Sequence, residues 1–345
     1  MNYNLMAVLF MVLVTFIFTV LMVPLVKRIA FHVGAIDYPN KRKIHKEPMP
    51  SLGGLAIFMG FLLGYMLFAR QTVEMNSILI GSFIIILTGI LDDIKPLQAR
   101  YKFFFQIIAA IVITFYGGIL LDNINAFGYS LNFGLFSSFI TILFIVGMIN
   151  SINLIDGLDG LAAGVSSIFF LTIGIIAFML NKLNGLDIML SFIMLGSTLG
   201  FLVHNFHPAK IFMGDTGSMF LGFIISVIAL IGLKKVTLTS FLIPLLIMAV
   251  PILDTLFAII RRVINKKGIS TSDKQHLHHQ LLEMNFSCRA TVLIIYYINA
   301  LFAIATIIYF LKDRQIGTYI YITLLIIVFW FVLTTNIIKN QQKRK

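Results

Sequence analysis

Charge is what this chain has least of. Only 12% of its 345 residues are Asp, Glu, Lys or Arg, against 59% apolar residues and a mean hydropathy of +0.99. A soluble domain carries about twice that charged share, so a water-soluble globule is excluded. Cysteine is nearly missing too: Cys288 stands alone, which rules out a disulfide framework within the chain. No internal repeat or low-complexity linker breaks the sequence, so 1–345 reads as a single domain. No alternating apolar–polar pattern of the kind a membrane barrel needs is present. The first apolar run lacks a basic leader and a small-residue cleavage site, and is therefore expected to be a retained helix rather than a signal peptide.

What is present is apolar sequence in long blocks. Runs near 3–25, 52–69, 77–91, 103–121, 135–153, 161–180, 187–203, 217–233, 238–260, 291–311 and 317–338 approach the roughly 20 residues a helix needs to cross a bilayer. Lipid offers no partner to a bare peptide group, so each crossing must satisfy its own backbone. The expected fold is an all-α, polytopic membrane bundle of about eleven transmembrane helices. The run at 77–91 is short and depends on apolar continuation into its flanks.

Alternating these runs divides the loops into two sets. One holds twenty Lys and Arg and the other six. The positive-inside rule then places the N-terminus outside and the C-terminus in the cytoplasm. The net charge of +12, distributed this way, speaks for a membrane and against nucleic acid. All seven histidines and ten of the fourteen acids share the basic side. Membrane insertion explains the lysines and arginines there, but not the acids and imidazoles. Those call for chemistry.

Asp92 and Asp93 close the third run in Gly-Ile-Leu-Asp-Asp-Ile-Lys. Adjacent carboxylates at a helix C-terminus oppose each other and the helix dipole, so they want a cation. Mg²⁺, with its preference for oxygen, is suited, although Lys95, Arg100 or Lys102 could answer the pair at an interface. Asn150, Asn153, Asp156 and Asp159 recur at every third residue. A three-residue step falls about 60° short of a helical turn, so on an unbroken helix these groups would wind into lipid. Gly157 and Gly160 allow the helix to end and the four groups to line a polar mouth. Asp215, in Phe-Met-Gly-Asp-Thr-Gly-Ser, reads either as an ordinary helix cap or as a metal ligand beside N–H groups able to take phosphate.

His276, His278 and His279 lie in the longest basic-side loop. They lack the spacing and the cysteines of a zinc site, so contact with phosphate or sugar fits them better than metal, with a plain solvated loop as the alternative. Asp254 falls about 10 Å before Arg261 and Arg262 along a helix and must face the interior, toward a lysine or the metal. The loop from Asp37 to Gly54 carries Lys41, Arg42, Lys43 and Lys46 among prolines, and Lys46 would draw phosphates to the mouth as a point charge. Carboxylates for a metal, cations for phosphate and a bundle open to lipid point to a substrate that is both pyrophosphate and lipid.

Five ordered motifs then carry a resemblance. They are His45–Gly54, Leu91-Asp92-Asp93, Asn153–Leu161, Asn205–Ser218 and His276-Leu-His-His279. End to end, the chain resembles the polyprenyl-phosphate N-acetylhexosamine-1-phosphate transferases, the group of WecA, MraY and TagO, and its split histidine motif is similar to the WecA and TagO form. The resemblance implies transfer of N-acetylglucosamine 1-phosphate from UDP-GlcNAc to undecaprenyl phosphate with release of UMP, as the first step of wall teichoic acid or a related surface glycan. It also implies Mg²⁺, with Mn²⁺ as a substitute, and leaves room for a homodimer.

By the same resemblance, Asp215 and Asn153 would hold the metal. Asp92, Asp93, Asp156, Asp159, His278 and His279 would be catalytic, and Lys46, Lys102, Asn153, Asn205, Phe212 and His276 would bind substrate. Gln280 departs from relatives that carry a basic residue there. A phosphate monoester is already mostly dianionic at pH 7, with a second pKa of about 6. Asp92 and Asp93 are therefore expected to position acceptor or metal more than to remove a proton. Two alternatives remain: a phospho-MurNAc-pentapeptide transferase, and a transporter. The latter would place its acids near mid-membrane, within repeats.

Overall fold

The computed structural model describes residues 4–39, 47–126, 129–180, 185–234, 248–264 and 277–334. Among these residues the fold is helical, with two short β-hairpins. The helices are α1 Leu5–Val33, α2 Gly53–Phe68, α3 Val73–Ile94, α4 Ala99–Ile111, α5 Ser137–Ile155, α6 Leu161–Met179, α7 Leu186–Asn205, α8 Gly214–Lys234, α9 Ala249–Ile264, α10 Leu277–Glu283, α11 Cys288–Leu311 and α12 Arg314–Thr334. Among the described residues, eight helical stretches are long and apolar enough to cross a bilayer: α1, α3, α4 continued to Tyr116, α5 begun at Gly134, α6, α7, α8 and α11, while α2 and the apolar part of α12 are shorter.

The expected runs find their helices, with shifted ends. α1 continues eight residues past its apolar run, because Lys27 and Arg28 fall off the buried stripe formed by Met11, Thr15, Thr19, Val23, Val26 and Ala30. The three- and four-residue spacing of that stripe is one helix face. The short third run gains a turn at each end, its start fixed by Thr72, whose hydroxyl accepts from Met75 N at 3.2 Å. α4 runs into a π-helical turn, Val112–Tyr116, and stops there, short of the expected 121. The ninth run, 238–260, is described from Ala249 onward and extends beyond its expected end to Ile264, its residues 238–247 lying outside the described residues. α10 has no run of its own.

α8 is the most enclosed spanning helix. A Cβ added to Gly54 of α2 would sit 2.0 Å from Gly217 N of α8, and one on Gly89 of α3 would sit 2.3 Å from Thr216 Cα. Missing side chains thus let three backbones meet at the start of α8, the kind of contact that packs helices where lipid removes the hydrophobic drive. Gly222, further along, packs in the same way on the backbone of Ile149 in α5.

Two hairpins mark opposite ends of the bundle. β3 (Asn123–Ala126) pairs antiparallel with β4 (Tyr129–Asn132) between α4 and α5, as the loop's Asn, Gly and Tyr content suggests. At the other end β1 (Ile36–Asp37) pairs with β2 (Met49–Pro50), and the chain after β2 is stitched to the segment before α8. Phe212 N donates to Pro50 O at 2.9 Å, Gly53 N to Phe212 O at 2.9 Å and Gly54 N to Met213 O at 2.8 Å. The entries of α2 and α8 therefore form one unit, although 160 residues of chain separate them.

Candidate active site

The C-terminal end of α3, the first turn of α4, the last turns of α5 and the first turn of α8 converge on one point. Asp92, Asp93 and Asp215 each offer a carboxylate oxygen there, all within 4.8 Å of one another. Three anions so close require cations, and the structure supplies one. Lys102 Nζ lies 2.7 Å from Asp215 Oδ2 and 3.3 Å from Asp92 Oδ2. No other ion pair reaches these acids among the described residues.

The three carboxylates are held in different ways. Asp92 Oδ1 accepts from Leu97 N at 2.7 Å, which folds the chain back after α3. Asp93 turns away from the cation. Its Oδ1 accepts from Asp215 N at 2.8 Å, and its Oδ2 accepts from Thr216 N at 3.1 Å and Thr216 Oγ1 at 2.6 Å. A residue 122 positions upstream thus caps α8, a task the sequence offers to Asp215 itself. Relieved of it, Asp215 projects into the cluster, where its Oδ1 accepts from Asn153 Nδ2 at 3.1 Å. Asn153 also donates to Ser218 Oγ at 2.9 Å, so α5 fixes α8 from the side. One turn back, Asn150 donates to Gln106 Oε1 at 2.7 Å and joins α5 to α4.

α5 stops at Ile155 and α6 starts at Leu161, as Gly157 and Gly160 suggest; Gly160 takes the left-handed conformation with φ 78°. Asp156 lies in the turn between them. Burial first, and then the charges of Asp215, Asp93 and Asp159, push its carboxyl well above the usual carboxylate range. Asp159 faces a separate partner: its Oδ2 is 2.8 Å from His207 Nδ1 and accepts from Ala209 N at 3.1 Å. His207 is a site neighbour that the sequence reading counted only as one of seven histidines, although it sits inside the Asn205–Ser218 motif.

Asn205 and Phe212 are placed by the backbone. Asn205, 3% exposed, accepts from Gly160 N at 3.0 Å and donates to Ile211 O at 2.9 Å, so its amide ties the turn before α6 to the segment before α8. Phe212 is half-buried, with its N–H and carbonyl both in the stitch to the first loop. Tyr296 of α11 donates its hydroxyl to Gly160 O, closing the same turn from the far side.

The histidines come from another direction. α10 begins where Leu277 N donates to Asp254 Oδ1 of α9 at 2.9 Å. Asp254 therefore faces the interior, as expected, and holds the histidine helix. His278, 3% exposed, lies over Gly157, where a Cβ would be 2.6 Å from its Nε2. The His279 ring is centred 4.2 Å from it. A small pocket is lined by Ile155, Leu161, Asp254, Leu277, His278 and Ile295, where α10 meets the bundle. Lys46 and His276 lie outside the described residues.

The donor set of the cluster is oxygen only, carboxylates from two helices with an amide beside them. That set fits Mg²⁺ or Mn²⁺ and does not suit a metal that prefers sulfur or imidazole. Asp215 and Asp92 are placed to hold such an ion, with Asn153 adjacent. Lys102 and the imidazoles at the rim suit phosphate.

Comparison with known proteins agrees with this chemistry. Residues 75–233, which include every member of the acid cluster, match Glycosyl transferase family 4. A Bacillus subtilis protein named as a probable undecaprenyl-phosphate N-acetylglucosaminyl 1-phosphate transferase is 44% identical over 321 residues, covering 92% of this chain and 88% of that protein. A Mycobacterium tuberculosis decaprenyl-phosphate N-acetylglucosaminephosphotransferase is 34% identical over 302 residues, 79% of this chain and 74% of that protein. An undecaprenyl-phosphate alpha-N-acetylglucosaminyl 1-phosphate transferase of Haemophilus influenzae is 33% identical over 300 residues, 85% of this chain and 84% of that protein. With relatives this similar along most of its length, the chain belongs to the family of polyprenyl-phosphate N-acetylhexosamine-1-phosphate transferases.

Proposed function

We propose that this protein transfers N-acetylglucosamine 1-phosphate from UDP-N-acetylglucosamine to undecaprenyl phosphate, at the cytoplasmic face of a bacterial plasma membrane, in a reaction that depends on Mg²⁺. The observation that carries the reading is the meeting of Asp92, Asp93 and Asp215 within 4.8 Å, beside Lys102. The names of the relatives support the sugar and the lipid. The loop bias of twenty basic residues against six supports the orientation. The first step of wall teichoic acid assembly is the pathway this activity would serve.

In the reaction an oxygen of the lipid phosphate bonds to the β-phosphorus of the donor. The bond from that phosphorus to the bridging oxygen breaks, and UMP leaves with the bridging oxygen and its electron pair. Little covalent work falls to the protein; bringing a dianion to a diphosphate is the harder part. Mg²⁺, held by Asp215 and Asp92, would neutralise diphosphate charge. Asp93 fixes Asp215 by capping α8, and Asn153 sets the orientation of its carboxylate. Lys102 carries positive charge to the phosphates. His278, which lies over Gly157, and His279 beside it would contact the sugar phosphate of the donor. Asp159 and His207 hold the segment before α8.

The test is one assay with purified protein, undecaprenyl phosphate and Mg²⁺, given UDP-GlcNAc or UDP-MurNAc-pentapeptide in turn. UMP and a pyrophosphoryl lipid should form with UDP-GlcNAc alone and stop on chelation. Release of UMP only from the pentapeptide donor, or from neither, overturns the proposal.

A further inference from the structure

We propose that Lys102 is a tethered counter-cation. It holds the place of the divalent metal between Asp92 and Asp215, and releases it when metal and diphosphate arrive together. This rests on the metal-dependent reading of the site given above.

The argument starts from which carboxylate oxygens are fixed. Asp92 Oδ1 is taken by Leu97 N, Asp215 Oδ1 by Asn153 Nδ2, and both oxygens of Asp93 by the first turn of α8. Each of those donors is a backbone amide or a side chain anchored by a second contact. Asp92 Oδ2 and Asp215 Oδ2 differ, because among the described residues the only nitrogen donor on either is the Lys102 ammonium, at 3.3 and 2.7 Å. These are the oxygens that face each other across the cluster, so they are the ones a metal would need. A lysine ammonium is a compact charge on a four-carbon stem and can move where a peptide N–H cannot.

An ammonium and a divalent ion a few ångströms apart repel strongly at the dielectric of a protein surface. Metal binding to the free protein must therefore displace Lys102, and the displaced ammonium needs a new anion. The donor's diphosphate supplies it. Metal and nucleotide should then bind cooperatively, each raising the affinity for the other. The lysine thereby offsets part of the acid cluster's charge between turnovers and disfavours metal loading without substrate.

The experiment measures Mn²⁺ directly, by the electron paramagnetic resonance signal of the free ion, on purified full-length protein. Wild type, Lys102→Met, Lys102→Arg and Asp215→Asn are compared with and without UDP, each checked for its melting temperature. Without UDP, Lys102→Met should bind Mn²⁺ about tenfold more tightly than wild type while its transfer rate falls. Lys102→Arg, which keeps the charge, should bind Mn²⁺ as wild type does, and Asp215→Asn should lose it. UDP should tighten Mn²⁺ binding more in wild type than in Lys102→Met. Unchanged or weaker Mn²⁺ binding by a folded Lys102→Met protein overturns the proposal. A wild type that binds no Mn²⁺ and still releases UMP under chelation overturns the metal reading beneath it, a different result.

Discussion

The acid side and the histidine side of the site are built in opposite ways. On the acid side α2, α3 and α5 each meet α8 with backbone in contact, and Asp93 and Asp215 are gripped by donors far away in sequence; Lys102 and Asp215 are 113 residues apart. On the histidine side, among the described residues, the seven-residue α10 is placed by the bond from Leu277 N to Asp254, by His278 lying over Gly157 and by the buried Leu281. The contrast separates two needs. A metal ligand must be right to within a fraction of an ångström, whereas groups that grip a bulky sugar nucleotide must let it in and out.

Substitutions can break this comparison. Asp215→Ala removes the carboxylate shared by Lys102 and Asn153. It should lower UMP release by about a thousandfold or more with little change in melting temperature. Asp93→Ala orphans two amides and a hydroxyl at the entry of α8. A loss of about a hundredfold in kcat should come with about 2–3 kcal/mol of stability, and Asp93→Asn should recover part of both by keeping one acceptor. On the other side, Gly157→Ala pushes a methyl against His278, and the rate should fall by about tenfold in a protein that melts normally. Asp254→Ala frees the start of α10; KM for the donor should rise by about fivefold with kcat nearly unchanged, and Asp254→Asn should behave as wild type. Tyr296→Phe, which loses the bond to Gly160 O, should cost about 1 kcal/mol of stability and leave the rate within about twofold. Should Asp254→Ala or Gly157→Ala prove as damaging as Asp215→Ala, the two sides are equally rigid and the contrast fails.

Much of this was readable before any coordinates. The spans were legible because lipid forces long apolar runs, and the break between Asn153 and Leu161 because two glycines interrupt a polar series. Placement of Asp92, Asp93, Asp156 and Asp215 on one side of the membrane followed from the distribution of charge along the chain. The division of labour among them did not. Local sequence makes Asp215 look like its own cap, and only the crossing of α3 and α8 hands that task to Asp93. Asn205 shows the same limit: a polar residue in a site motif reads as a pocket wall, yet both ends of its amide are spent on backbone. α10 stayed hidden because seven residues are too few for a helical period to show. The partner of Asp159 was hidden as well, since nothing local distinguishes His207 from the other imidazoles.

The capping of α8 by Asp93 has an outcome for how the protein meets its substrate's charge. Glycines before a helix commonly form a static anion receptor, but here an internal carboxylate already fills it. Electroneutrality in the loaded state then falls to ions from solution and to side chains that swing. Turnover should accordingly track free divalent concentration and ionic strength more steeply than in proteins that cradle phosphate on peptide dipoles.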